Sequence, residues 1–384
     1  MSRGLKPTIL SISLITVMSG AAVAPALGEI GRAFPQADET LIKLVLTLAS
    51  VMIIPFNFIS GRICDRWGKR RTLLLGLAVY LVGGMGGGLA SSIWTLLGTR
   101  VVLGMGVGLI MPISTALVGD FYEGEERIRT MGQLSASSNL GGIVAMVLSG
   151  WLASLSWRYS FGVYGFALGT GLLVFFLLPE PKSDGRPGGG FKDLPLAVYL
   201  NGAAVLLLML VFYSIPTNMA LFLQANHIGE ARLSGMVIAL ITASGFVAGL
   251  VLSRVHGLVG RWMVTAMLAC MAGGFWLLSA AASLAPVVAG VVLIGFSYGS
   301  LFPLILVSIT GAVPRHRTVL AMAVASSCLF LGQFISPLVL DGLGAIMGTA
   351  SPRQSFHLCA LGITAAMVAA FVISFRTPAQ SNPE

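Results

Sequence analysis

The stretch Gly61-Arg62-Ile63-Cys64-Asp65-Arg66-Trp67-Gly68-Lys69-Arg70-Arg71 concentrates five cations, one carboxylate and two glycines between two apolar runs. Each flanking run, roughly 41–60 and 72–92, is about 20 residues long, enough to cross a bilayer as a helix. A hinge of this composition beside a membrane can hold helix ends together and let them slide. The rest of the chain repeats the flanking pattern. Of 384 residues, 56% are hydrophobic and 10% charged, which is too little polar surface to cover one water-soluble globule. The bilayer must therefore be the solvent. Twelve spans are expected, roughly at 8–28, 41–60, 72–92, 95–119, 130–153, 159–179, 195–223, 233–253, 262–282, 286–309, 319–343 and 356–375.

Arg3 and Lys6 ahead of an apolar run ending in Ala22-Val23-Ala24 also resemble a secretory signal. The run is longer than a usual signal core and Pro25 would follow the cut, so it is read as the first span. The formal net charge of +9 invites a nucleic-acid partner, but the cations are distributed differently. With both termini on one side, 17 of the 23 Lys and Arg fall in the amino-terminal tail and after the even-numbered spans. Arg32, Lys43, Arg158, Arg232 and Arg353 stand near the other face, and Arg100 lies within a span. This positive-inside bias predicts a multi-pass protein of a cell membrane, the bacterial cytoplasmic membrane, with both termini cytoplasmic. The basic loops then meet anionic lipid and not nucleic acid.

Cys64, Cys270, Cys328 and Cys359 have no paired spacing, and the four histidines form no ligand pattern, so neither a disulfide framework nor a metal or other cofactor is expected. Pro179 to Asp193, rich in charge and glycine, reads as a flexible cytoplasmic linker with six spans on each side. The expected organisation is an amino-terminal six-helix bundle over 1–179, a linker over 180–194 and a carboxy-terminal bundle over 195–384. Within the second half, Ser253 to Trp262 keeps a Gly-Arg pair where the first half has its charged hinge, but has lost the carboxylate. A weakened echo at the same place in each half is what duplicated membrane halves leave.

Gly61, Asp65, Arg66, Gly68, Lys69 and Arg70 resemble the signature loop of the major facilitator superfamily, Gly-x-x-x-Asp-Arg-x-Gly-Arg/Lys-Arg/Lys, in its place between spans 2 and 3. The resemblance covers the whole chain through its twelve-span, two-half layout. It implies an all-α membrane protein, with twelve transmembrane helices in two pseudo-symmetric six-helix bundles. It also implies a conformational latch. Asp65 is expected at the cytoplasmic start of span 11, where free N–H groups and the helix dipole favour a carboxylate by about 0.3–1 kcal/mol. Arg66 and Arg70 are expected to pair with Asp120 at the end of span 4, while Gly61 and Gly68 permit close approach and a tight turn. A solvated basic loop that only fixes topology is the alternative.

Arg100 to Gly108 resembles the Arg-x-x-x-Gly-x-Gly pattern of the drug:proton antiporter branch. A guanidinium within a span suggests a wet cavity or a coupling role, with snorkelling to the interface as the competing reading. The glycines beside it, like Gly83, Gly84 and Gly86 to Gly88, read as small-residue helix packing. Span 5 departs from that branch. Trp157-Arg158 is present, but Ala145-Met146 stands where its Gly-Pro would fall and Ser149-Gly150 where a glycine pair would.

By the same resemblance, spans 1, 4, 7 and 10 line the substrate region. Pro216 and Pro303 each free a backbone carbonyl at membrane depth, which is tolerated only against protein or a water-filled cavity. Tyr213, Asn218, Tyr298 and Phe302 are accordingly expected at the cavity, with Asn57, Asn139 and Gln333 as further polar candidates. Core packing or interhelical hydrogen bonding is the other reading for each. Proton coupling needs a titrating acid, and of fourteen acids only Glu29 and Asp341 look placed to enter a cavity, with a membrane-interface position as the competing and favoured reading for each.

These features together predict a secondary transporter and not an enzyme. The expected function is export of small amphipathic or aromatic organic compounds in exchange for protons, by alternating access of a monomer. A dedicated exporter of an endogenous metabolite, such as a siderophore or organic acid, is the alternative. A ligand sensor or lipid-moving facilitator without antiport is a reading of another class. No nucleotide-binding glycine loop occurs, which argues against direct ATP drive.

Overall fold

The computed structural model describes residues 4–180, 194–314, 318–349 and 351–376. Among them are twelve helices long and apolar enough to cross a membrane. They are α1 (Leu5–Ala33), α2 (Glu39–Trp67), α3 (Lys69–Leu89), α4 (Ile93–Phe121), α5 (Gly124–Leu155) and α6 (Trp157–Leu177). The second six are α7 (Leu196–Ala225), α8 (Ala231–Val259), α9 (Met263–Ala280), α10 (Leu284–Gly311), α11 (Thr318–Ile346) and α12 (Pro352–Arg376). The expected linker falls almost wholly on 181–193, outside the described residues.

Local chemistry sets the helix ends. Ser92 and Thr95 close α4 reciprocally, the Thr95 N–H donating to Ser92 Oγ at 3.2 Å and the Ser92 N–H to Thr95 Oγ1 at 3.1 Å. Gly68 adopts φ +83° between α2 and α3, a conformation that disfavours any side chain. Pro25 tightens Ala24–Ala26 of α1 into a 3-10 turn before the α-helix resumes at Leu27.

With lipid outside, helices hold together by close packing instead of water exclusion, and glycine supplies the approach. On α4, Gly104 and Gly108 meet the carbonyl rows of Ala49 and Ile53 on α2, while Gly106 faces the backbone of Tyr80 on α3. The second half repeats the device. Gly245 of α8 meets Gly299 of α10, and Gly274 of α9 meets Gly290 of α10. Helix pairs α2–α4, α3–α4 and α1–α5 thus recur as α8–α10, α9–α10 and α7–α11, shifted by six helices each time. That recurrence is the architecture: two pseudo-symmetric six-helix bundles. They touch along two seams, α2–α11 and α5–α8, which the same shift interchanges. One face of the molecule carries the α2–α3 turn and is called here the basic face; the other is the far face.

Candidate functional site

Between the bundles lies a cavity of about 680 Å³. Its wall runs from Gly132 to Met146 on α5, from Ile238 to Leu250 on α8 and from Tyr298 to Leu306 on α10. The cavity therefore reaches from mid-helix toward the basic face. The structure brings Tyr213, Tyr298, Phe302, Asn139 and Gln333 to this wall. Tyr298 and Phe302, one helical turn apart on α10, stack at 5.4 Å, and Phe212 of α7 stacks on Tyr298 at 3.9 Å. Among the described residues, every side chain lining the cavity is uncharged.

Three expected cavity residues point elsewhere. Asn218 is buried and donates to its own helix, at 2.9 Å to the Ser214 carbonyl and 3.1 Å to Thr217 Oγ1. Asn57 lies on the α2 face that packs against Gly108 of α4, and its buried Oδ1 has no hydrogen-bond partner among the described residues. Arg100, 1% exposed, neither lines the cavity nor snorkels. Its guanidinium donates to the carbonyls of Gly83 (2.8 Å) and Gly84 (3.1 Å) and to Tyr164 Oη (3.0 Å), and lies over the Phe161 ring. These carbonyls belong to the carboxy-terminal turn of α3, where a cation complements the helix dipole. A Cβ at Gly87 would meet the Phe161 ring and the Arg100 guanidinium, so that glycine makes the pocket. Arg100 is a strut joining α3, α4 and α6, and Tyr164 extends it by donating to the Ser19 carbonyl of α1 at 2.8 Å.

The far face is closed by polar contacts and bare backbone. Lys43 of α2 pairs with Asp341 of α11 at 2.6 Å and with Glu39 at 2.9 Å, and Thr40 donates to Asp341 Oδ2 at 3.0 Å. Ser50 donates to Gln333 Oε1 at 2.8 Å along the same seam. Glu29 accepts from Gln224 of α7 at 3.0 Å and pairs with Arg32 at 3.2 Å. Glu29 and Asp341 thus sit in bundle-to-bundle contacts and do not line the cavity, contrary to the expectation that they enter it. At the second seam Gly150 of α5 faces Gly235 of α8. A Cβ on Gly150 would lie 2.7 Å from the Ala231 carbonyl and 3.0 Å from the Gly235 Cα.

The basic face is arranged differently from the expected latch. Lys69, and neither Arg66 nor Arg70, reaches Asp120, with Nζ 2.6 Å from Oδ2 and 2.9 Å from Oδ1. Helical geometry explains the exchange: Lys69 opens α3 beside the end of α4, whereas Arg66 lies on the exposed surface of α2. Arg70 instead donates to the Phe175 carbonyl, and its backbone N–H donates to Glu180 at 3.3 Å. Glu180 also sits against Gly68, filling the space a Cβ would need. Gly61 has open space before it in place of a close neighbour. Asp65 is exposed, with no ion pair or hydrogen bond among the described residues. Residues 315–317, just ahead of α11, lie outside those residues.

Sequence reading missed Phe212, Phe246, Phe330 and the methionines Met111, Met146 and Met209 on the cavity wall. A signal for Phe212 existed: 209, 212, 213 and 216 recur at the spacing of one helix face. The Lys43–Asp341 pair had no such signal, because its partners are 298 residues apart.

The chain is similar to known transporters in sequence and in fold. The chain is 24% identical over 196 residues to the multidrug transporter protein MdtP of Bacillus subtilis, covering 50% of this chain and 35% of that protein. It is 28% identical over 156 residues to the quinolone resistance protein NorA of Staphylococcus aureus, covering 40% of this chain and 39% of that protein. The chain thus spans well under half the length of these relatives. A crystal structure of a bacterial homologue of the human lysosomal transporter Spinster, inward-facing and occupied, superposes with a TM-score of 0.79 at 15% identity. That superposition covers 99% of this chain and 98% of the other and shows a shared fold. The family model of the Major Facilitator Superfamily matches residues 9–337, and with its twelve helices in two repeated bundles this multi-pass membrane protein belongs to that family of transporters.

Proposed function

We propose that this protein exports small amphipathic or aromatic organic compounds by alternating access, in exchange for protons. The observation that carries the reading is the cavity between the bundles, walled by aromatic and thioether side chains and reaching toward one face while polar contacts close the other. The cation distribution makes the basic face cytoplasmic, so the cavity loads from the cell interior and releases outward once the far-face seams part. Residues 1–179 and 195–384 then rock as units about the linker at 180–194. The multidrug and quinolone-resistance relatives support the substrate class.

In this reading Gly61, Asp65, Arg66, Gly68, Arg70 and Asp120 form a latch that engages when the basic-face ends of the bundles come together, with Asp65 exposed in the present pose. Asp341 is the acid through which protons act. Neutralising it removes the attraction that ties α11 to Lys43, and the ammonium keeps Glu39 as its partner. The seam is thereby released without stranding a buried charge. A second reading, facilitated movement without antiport, is favoured by the uncharged cavity wall, which gives substrate and proton no shared group to compete for. A dedicated metabolite exporter would use the same cavity with a narrower substrate range.

Proteoliposomes with an imposed pH gradient separate the two. Antiport requires that aromatic substrates from a broad panel dissipate the gradient and accumulate against their own. Downhill equilibration indifferent to the gradient would leave the facilitator, and no movement of any compound would remove both.

A further inference from the structure

We propose that the cavity selects uncharged, planar aromatic molecules over permanently cationic molecules of the same shape. The inference rests on the export reading and names the substrate class of that site. Its first support is the ring ladder. Phe212, Tyr298 and Phe302 lie nearly parallel, with interplanar angles of 21° and 17°, so three ring faces share one orientation along the wall. The facing surfaces are spent on one another, so a flat π-system extends the ladder by offset stacking on its outer faces.

The second support is how the polar groups at the wall are committed. Ser50 donates to Gln333 Oε1, occupying one of that oxygen's two acceptor sites, and among the described residues its Nε2 has only the weak Met209 sulfur at 3.9 Å. Gln333 therefore offers the cavity a neutral N–H donor suited to a carbonyl, ether or ring nitrogen. Asn139 lines the same cavity on the α5 side, again neutral. The buried charges at the far face are compensated among themselves as Lys43, Asp341 and Glu39. Arg100 is consumed by carbonyls and a phenol in the amino-terminal bundle.

A cation entering this space exchanges its hydration for ring faces and neutral dipoles. Ring faces attract it, but they return only a small part of what a counter-ion or water would supply. A neutral analogue has no such loss. Discrimination therefore comes from the missing counter-charge and not from shape.

The test is binding to the purified protein, by fluorescence near neutral pH, where acridine is unprotonated and 10-methylacridinium has not added hydroxide, of these two probes, a near-isosteric pair differing in charge. Protein-free micelles serve as blank. Acridine is expected to bind at least about tenfold more tightly, a difference of about 1.4 kcal/mol. Phe212→Leu should weaken acridine binding several-fold, while Tyr298→Phe, which keeps the ring, should leave it nearly unchanged. Equal or tighter binding of 10-methylacridinium overturns the inference and leaves the export reading intact. Loss of acridine binding in Tyr298→Phe, with an unchanged melting temperature, overturns the ladder as the recognition element. If neither probe binds but other organic compounds do, this substrate class is wrong. If nothing in a broad panel binds, the export reading falls with it.

Discussion

Lys43 on α2 reaches across the bundle boundary to Asp341 on α11, 2.6 Å from Nζ to Oδ1, and is only 1% exposed. Glu39, four residues earlier on the same helix, holds the ammonium from the other side at 2.9 Å and is 39% exposed. The arrangement is asymmetric. Lys43 has a partner within its own bundle, whereas among the described residues Asp341, 11% exposed, has across the seam only Lys43 and the Thr40 hydroxyl.

Lys43→Met should therefore disturb the far face more than Asp341→Asn. The first leaves a buried carboxylate without its cation, at a cost of about 3–5 kcal/mol; the second leaves Lys43 paired with Glu39. Distances between spin labels on α2 and α11 at the far face should lengthen strongly in Lys43→Met and modestly in Asp341→Asn. In the double variant Lys43→Met/Asp341→Leu the seam should close again. Identical distances in all three would show that the pair does not hold the seam.

Gly150 and Gly235 close the other seam by backbone contact, which leaves no room for a side chain. Gly235→Val is expected to strain the closed seam by about 1–3 kcal/mol and to favour conformations open at the far face. A cysteine at Ala24, on the cavity wall, should then react faster with a membrane-impermeant thiol reagent added outside. Gly249→Ala, on the same helix with nothing within 4 Å of its Cβ position, should behave as the parent. Equal labelling of the two variants would remove the glycine seam from the mechanism.

Arg100 is a structural strut, so its loss should register first in stability. Arg100→Met removes four hydrogen bonds from a buried guanidinium and leaves the Gly83 and Gly84 carbonyls and Tyr164 to find new partners. A loss of about 2–5 kcal/mol, seen as a markedly lower melting temperature, is expected. Acridine affinity in the protein that remains folded should change little. An unchanged melting temperature together with abolished transport would return Arg100 to a coupling role.

Asp65 is exposed in the structure, so Asp65→Asn should leave the melting temperature unaltered while slowing transport strongly. The carboxylate is needed only when the basic-face ends come together, where a helix amino terminus favours it. Unaltered turnover in the variant would reduce the basic loop to a topology signal.

The twelve helices were legible because each span must satisfy its own backbone in lipid, a requirement written in about 20 consecutive apolar residues. The hinge was legible for the same local reason: Gly68 and the flanking cations lie within eleven residues. Partners were not. Arg66 and Lys69 have the same charge and neighbouring positions, and only the turn at Gly68 puts Lys69 beside Asp120 and leaves Arg66 exposed. Its place within a span and the antiporter-like pattern around it made Arg100 a cavity candidate, whereas its surroundings depend on how α3, α4 and α6 pack.

The sequence by itself determined the solvent, the number of spans, the internal repeat and the face that carries the cations, because hydropathy and charge act through single residues and short runs. Tertiary structure alone decided which polar groups meet. Tyr298 joins Phe212, and Lys43 joins Asp341, only after helices far apart in the chain are packed side by side. The physical reason is that a buried charge or ring is defined by its neighbours within a few ångströms, and in a helical membrane protein those neighbours come from other spans.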